Sequence, residues 1–244
     1  MRIFIEKDFN EMSLRAARII AEQVRQKPES VLGLATGSTP LGTYQELIRI
    51  HREEGLDFSK VVTFNLDEYC GLSQDNPQSY HYYMYENFFK HINVKHSNIH
   101  IPDGMADDIE NFCISYDELI KQTGGIDIQL LGIGRNGHIG FNEPAEELSV
   151  PTHLVELTQD TIEANSRFFD SMEQVPKQAI TMGMGPIMQA KKILLLANGE
   201  GKAEIMGELL NNSRVTTKIP ASFLWLHGDA MIIMDEAAAK YTRG

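Results

Sequence analysis

Apolar residues recur along this chain in two alternating rhythms. Short runs, RIFI (2–5), SVLGL (30–34), VVTF (61–64), IDIQLL (126–131), AITM (179–182), KILLLA (192–197) and MIIM (231–234), have the length and continuity of strands buried on both faces. Between them lie longer stretches with helical spacing. Met12, Leu14, Ala17, Ile20, Ala21 and Val24 predict a helix over 9–26, closed by Lys27-Pro28. Further helices are expected over 40–54, with Pro40 in the first turn, and near 78–90, 108–122 and 200–211. The stretch from 132 to about 176 reads as less regular. Strands alternating with helices predict an α/β, Rossmann-like three-layer fold, a mostly parallel sheet covered by helices on both faces. The loops that carry chemistry are dispersed from 35 to 202, so they must converge in one domain spanning 1–244.

Composition narrows the partners. The 244 residues carry 22 Lys and Arg against 34 Asp and Glu, a net charge of −12. No basic run exists to grip a polyanion, which argues against nucleic acid and anionic membranes, although a few local donors suffice for a small phosphate. The two cysteines, Cys70 and Cys113, form no CxxC and no zinc-type spacing, so no metal is expected. The N-terminus, MRIFIEKDFNEM, lacks the apolar core of a signal peptide, and no stretch approaches the roughly 20 apolar residues that span a bilayer. A cytoplasmic protein is the simplest expectation.

The most informative run is GIGRNGHIGFNEP (132–144), fed directly by strand 126–131. Its glycines let the backbone turn sharply, and His138, Asn142 and Glu143 follow at once. Such a turn puts chemistry at the carboxyl edge of a sheet, and the Glu143 carboxylate is close enough in sequence to orient the imidazole. Strand 61–64 ends in Asn65-Leu66-Asp67-Glu68-Tyr69, whose adjacent acids supply a proton acceptor or, equally, a helix cap and a surface charge. Ala35-Thr36-Gly37-Ser38-Thr39-Pro40 joins a strand to a helix and suits an anion, though capping by Ser38 or Thr39 explains it as well. Arg167 and Lys202 stand in sparse surroundings, the latter again at a strand-to-helix turn; exposed, solvated side chains are the plain alternative. The remaining histidines read as structural or solvated.

The segments GLATGSTPLGTYQEL (33–47), VVTFNLDEYCGL (61–72), NPQSYHYYM (76–84), LLGIGRNGHIGFNEPA (130–145), ANSRFF (164–169) and NGEGKAE (198–204) together resemble the glucosamine-6-phosphate deaminase family. The resemblance runs in order through nearly the whole chain. It implies an isomerisation coupled to deamination, converting glucosamine 6-phosphate and water to fructose 6-phosphate and ammonium, with no metal or organic cofactor. By that resemblance Asp67 moves the proton between carbon 2 and carbon 1, and His138 shuttles the ring-oxygen proton beside Glu143 and Asn136. Thr36, Gly37, Ser38, Thr39, Arg167 and Lys202 would hold the phosphate, and 157–178 would form a mobile lid.

Two departures follow. Enteric-type members carry Asp at the position of Asn136, so here Glu143 is expected to supply the charge and Asn136 an orienting hydrogen bond. Larger hexameric relatives respond to N-acetylglucosamine 6-phosphate through basic and hydroxyl residues after the FNEP segment and through a C-terminal tail. Here 145–155 holds two acids and no Lys or Arg, and the chain stops soon after Tyr241. A non-allosteric enzyme, monomeric or weakly oligomeric, is therefore expected. Runner-up readings are a 6-phosphogluconolactonase, which has no use for a carbon-acid base at Asp67, and a non-catalytic sugar-phosphate sensor.

Overall fold

The computed structural model describes residues 1–166 and 171–243. Seven strands form one parallel sheet: β1 (Arg2–Glu6), β2 (Val31–Leu34), β3 (Val62–Asn65), β5 (Ile99–His100), β6 (Ile128–Leu131), β9 (Lys192–Ala197) and β10 (Ala230–Asp235). Their order is β1-β10-β9-β6-β2-β3-β5. Alternate residues face opposite layers. Ile193, Leu195 and Ala197 of β9 join one apolar cluster, and Leu194 and Leu196 join the other. Two-sided burial is what continuous apolar runs encode.

One face is covered by α1 (Phe9–Gln26), α2 (Ser38–Glu54) and α3 (Tyr80–Asn87), the other by α4 (Ile109–Gln122), α6 (Met184–Gln189) and α7 (Ala203–Asn211). Helix α1 starts where the Asp8 carboxylate accepts from the Asn10 and Glu11 amides. Helix α2 begins at Ser38, two residues earlier than the sequence suggests, with no side-chain cap. Neither Ser38 nor Thr39 therefore caps it, and that alternative reading of the 35–40 turn is not what the structure contains. The helix expected near 78–90 runs from Tyr80 to Asn87, and the chain after it tightens into a 3-10 turn at Phe89–His91. No helix among the described residues is long and apolar enough to cross a membrane.

The stretch expected to be irregular contains β7 (His153–Glu156) and α5 (Gln159–Ser166). Strand β7 pairs with β8 (Gln178–Thr181), which pairs in turn with β4 (Asp67–Tyr69), making a small antiparallel sheet ordered β4-β8-β7. The AITM run thus builds this second sheet and not the parallel one. A single residue separates β3 from β4. The Leu66 amide donates to Leu34 O in the main sheet, and Leu66 O accepts from Met182 beside the small one. The chain crosses between sheets there and delivers Asp67 to the junction.

Candidate active site

Strand order reverses between β2 and β6: from β2 the chain proceeds to β3 and β5, then returns to β6 on the other side. In open parallel sheets the crevice at the carboxyl ends of such a pair is where ligands bind. The loops after β2, β3, β6 and β9 all open there, and they contain every candidate except Arg167. Arg167 lies outside the described residues, as do Phe168 and Phe169 of the expected lid.

The loop after β6 is shaped by its glycines. Gly134 N donates to His138 O at 2.9 Å, and a Cβ on Gly134 would lie 2.2 Å from the His138 ring, so only glycine lets the imidazole fold over the loop. His138 Nδ1 lies 3.2 Å from the Glu143 carboxylate. Asn136 Nδ2 donates to Glu143 Oε2 at 2.7 Å, and Asn136 Oδ1 accepts from the His138 amide. Thr161 of α5 donates to Glu143 Oε1 at 2.7 Å. Burial alone would raise the Glu143 carboxyl, but the bonds from His138, Thr161 and Asn136 outweigh it and hold the group at about 2. Glu143 is therefore anionic across the physiological range.

Asp67 is 6% exposed and has no hydrogen-bond donor on its side chain among the described residues. Burial, reinforced by the neighbouring Glu68 charge, pushes it up to about 8. Glu68 plays the bland role. Its carboxylate accepts from the Tyr69, Tyr80 and His81 amides at 2.8–2.9 Å and so anchors the start of α3. Gly140 joins the Asp67 and His138 segments. With φ of 58°, it faces Asp67 so closely that a Cβ would come within 3.7 Å of Oδ2 and 2.9 Å of Thr181 Oγ1. Thr181, the β8 partner of Asp67, also accepts the Phe141 amide.

The third group sits at the start of α2. Gly37 takes a φ of 103°, and its carbonyl accepts from Tyr83. The backbone amides of Thr36, Gly37, Ser38 and Thr39, at the start of α2, are the natural donor set. Thr39 Oγ1 donates to Asn198 Oδ1 at 2.8 Å, tying this turn to the loop after β9. Lys202 lies in that loop, and its Nζ donates to Ile133 O at 2.6 Å. Asp235 holds the same loop through the Gly199 amide.

Sequence reasoning missed four contributors: Thr161, Thr181, Asn198 and Arg135. A Cβ on Gly201 would lie 3.9 Å from the Arg135 guanidinium, so this cation borders the same loop. Arg135 lies inside GIGRNGHIGFNEP and Asn198 inside NGEGKAE, where the motif marks them; Thr161 and Thr181 carry no local signal. Among the described residues no three His, Cys, Asp or Glu side chains gather as metal ligands.

Known proteins resemble this chain along nearly its whole length. The family model for glucosamine-6-phosphate isomerases/6-phosphogluconolactonase covers residues 7–233. A glucosamine-6-phosphate deaminase of Clostridium acetobutylicum is 60% identical over 240 residues, covering 98% of this chain and 99% of the relative. One from Thermoanaerobacter sp. (strain X514) is 57% identical over 239 residues, covering 98% and 94%. Among solved structures, a monomeric glucosamine-6-phosphate deaminase superposes with a TM-score of 0.96 at 49% identity, over 99% of this chain and 100% of the other. The 6-phosphogluconolactonase of Thermotoga maritima reaches 0.74 at 20% identity, over 96% and 98%, a likeness of fold alone.

Proposed function

Because the chain belongs to the glucosamine-6-phosphate isomerase/6-phosphogluconolactonase family, we propose that it deaminates glucosamine 6-phosphate, yielding fructose 6-phosphate and ammonium. The observation that carries this reading is the buried Asp67 carboxylate, undonated and next to Gly140 of the histidine loop. Removing a proton from carbon calls for a strong, desolvated base. Hydrolysing a lactone does not, so Asp67 separates the deaminase from the lactonase.

Each group then has a task. His138, with Nδ1 turned to Glu143, offers Nε2, which takes the proton of the carbon-1 hydroxyl and passes it to the ring oxygen, so that the sugar opens. The aldehyde so formed acidifies the carbon-2 hydrogen. Asp67 takes that proton, leaving an enolamine, and returns it to carbon 1; the resulting carbon-2 iminium adds water and expels ammonia. Asn136 keeps Glu143 in place and carries no charge itself. The amides and hydroxyls of 36–39, with Lys202 and Arg167, bind the phosphate, whose binding energy orients the reacting end. No organic cofactor enters these steps.

We also propose that the enzyme is unregulated. Glu146 and Glu147 are exposed just past the FNEP segment, where a phosphate effector would meet negative charge.

Ammonium and fructose 6-phosphate released together from glucosamine 6-phosphate by purified protein, without added metal, would support the reading. Asp67→Asn is expected to cost at least about 10³-fold in kcat, within the span typical of positioned bases, while the sugar phosphate still binds. Binding without ammonium release by the unaltered protein would point to the lactonase or the sensor.

A further inference from the structure

One of the two Glu143 carboxylate oxygens is held from outside its own loop. Thr161 projects from the first turn of α5 and is 8% exposed. Its hydroxyl donates to Glu143 Oε1 at 2.7 Å, while Asn136 donates to Oε2 at the same distance. Behind it stands Thr158, directly before the helix. Thr158 Oγ1 accepts from the Thr161 amide at 3.3 Å, the usual bond of an N-cap, and the Thr158 hydroxyl donates to Thr161 Oγ1 at 3.0 Å. The protons of this chain therefore all point one way, from Thr158 to Thr161 to Glu143.

Direction matters here. Both carboxylate oxygens face donors, and His138 Nδ1 faces them as well. Bonds to a carboxylate are stronger than bonds to a neutral carboxyl, so the donors Thr161 and Asn136 favour the anion. An anion at that place in turn favours the His138 tautomer with hydrogen on Nδ1, which keeps Nε2 for the substrate. A threonine whose only task was to build the helix would turn its hydroxyl back to a carbonyl three or four residues earlier. Thr161 donates instead across to another segment, 18 residues away in sequence.

We propose that Thr161 is a positioning residue of the reaction: its hydroxyl fixes the Glu143 carboxylate and, through it, the orientation and tautomer of His138. The role rests on the deaminase reading for its kinetic consequence, but the tautomer is a property of the protein without substrate. Helix α5 thereby belongs to the acid–base apparatus, and the ordering of its first turn and the state of His138 are linked.

The test compares Thr161→Val, which keeps the shape and removes the donor, with Thr161→Ser, which keeps the donor. Ammonium release is followed for both and for the unaltered enzyme, and 15N-imidazole resonances of His138 are recorded without substrate. A hydrogen bond to a charged group corresponds to roughly 10- to 100-fold in rate. Thr161→Val is expected to lose about that much in kcat with KM changed less than about threefold, and to mix the two His138 tautomers; Thr161→Ser is expected to restore both signals. In a Glu143→Gln background the same valine substitution is expected to add little. A kcat within about twofold of the unaltered enzyme with a single tautomer retained, or an undiminished effect in the Glu143→Gln background, would overturn the proposal. If valine disturbs α5, Thr161→Ala only removes atoms and reads the same signals. An unaltered protein that releases no ammonium contradicts the deaminase reading, while the tautomer still decides the role of Thr161.

Discussion

Asp67 is costly to the fold in the state its task demands. Its carboxyl, at about 8 in the folded chain against 3.8 when unfolded, keeps a proton between those values that the unfolded chain has released. Stability contributed by this group therefore falls as pH rises from about 4 to about 8. Asp67→Asn is expected to raise Tm at pH 8 by about 3 °C or more, taking about 2–4 °C per kcal/mol for a chain of this size, and to leave it unchanged near pH 3. Thermal melts at the two pH values check this; equal Tm at pH 8 would mean the carboxylate is solvated or paired. In the unaltered enzyme kcat/KM should climb as pH rises toward 8, because only the ionised form accepts the carbon-bound proton. Residues like this are legible in part. The acid itself stands out after a strand, but its surroundings, Gly140 and the paired Thr181, come from distant segments.

At the scale of elements, the opposite edge of the sheet is bound by charge. Asp127, just before β6, accepts from Lys27 Nζ before β2, from Lys191 Nζ before β9, and from the Val31 amide, at 2.7–2.9 Å. One buried carboxylate thus gathers the amino ends of three neighbouring strands. Burial would raise its carboxyl, but Lys191, Lys27 and Val31 prevail and keep it below the ordinary value. Its stabilising effect is present above the unfolded pKa and vanishes as pH falls through the folded one. Asp127→Asn is expected to cost about 2 kcal/mol at pH 7, a fall in Tm of roughly 4–8 °C, and progressively less as pH falls below the unfolded value of 3.8. Parallel strands and amphipathic helices were plain in the sequence, since two-sided burial leaves unbroken apolar runs. The small sheet was not. Strand β4 is Asp-Glu-Tyr, recruited by position, β7 has one face exposed, and β5 is two residues long. Nothing local marks such strands, whose pairing partners lie far away in the chain.

Taken as a whole molecule, the protein carries −12, with acidic side chains lying beside the FNEP segment. Repulsion between like surfaces disfavours close assembly, and the 49% identical solved relative is described as monomeric. Initial rates are expected to follow a hyperbola, unchanged by N-acetylglucosamine 6-phosphate, and sedimentation to report one chain. Sigmoidal rates relieved by the acetylated sugar phosphate would refute the unregulated form. The separation between the Asp127 cluster and the chemical loops has a further consequence. They occupy opposite ends of strands that, at ~3.3 Å per residue, put on the order of 13 Å between them. Effects of substitutions farther apart than about 7–10 Å generally sum. Adaptation to heat at one end can therefore proceed without retuning turnover at the other, and a lineage or an engineer can select the two traits in either order.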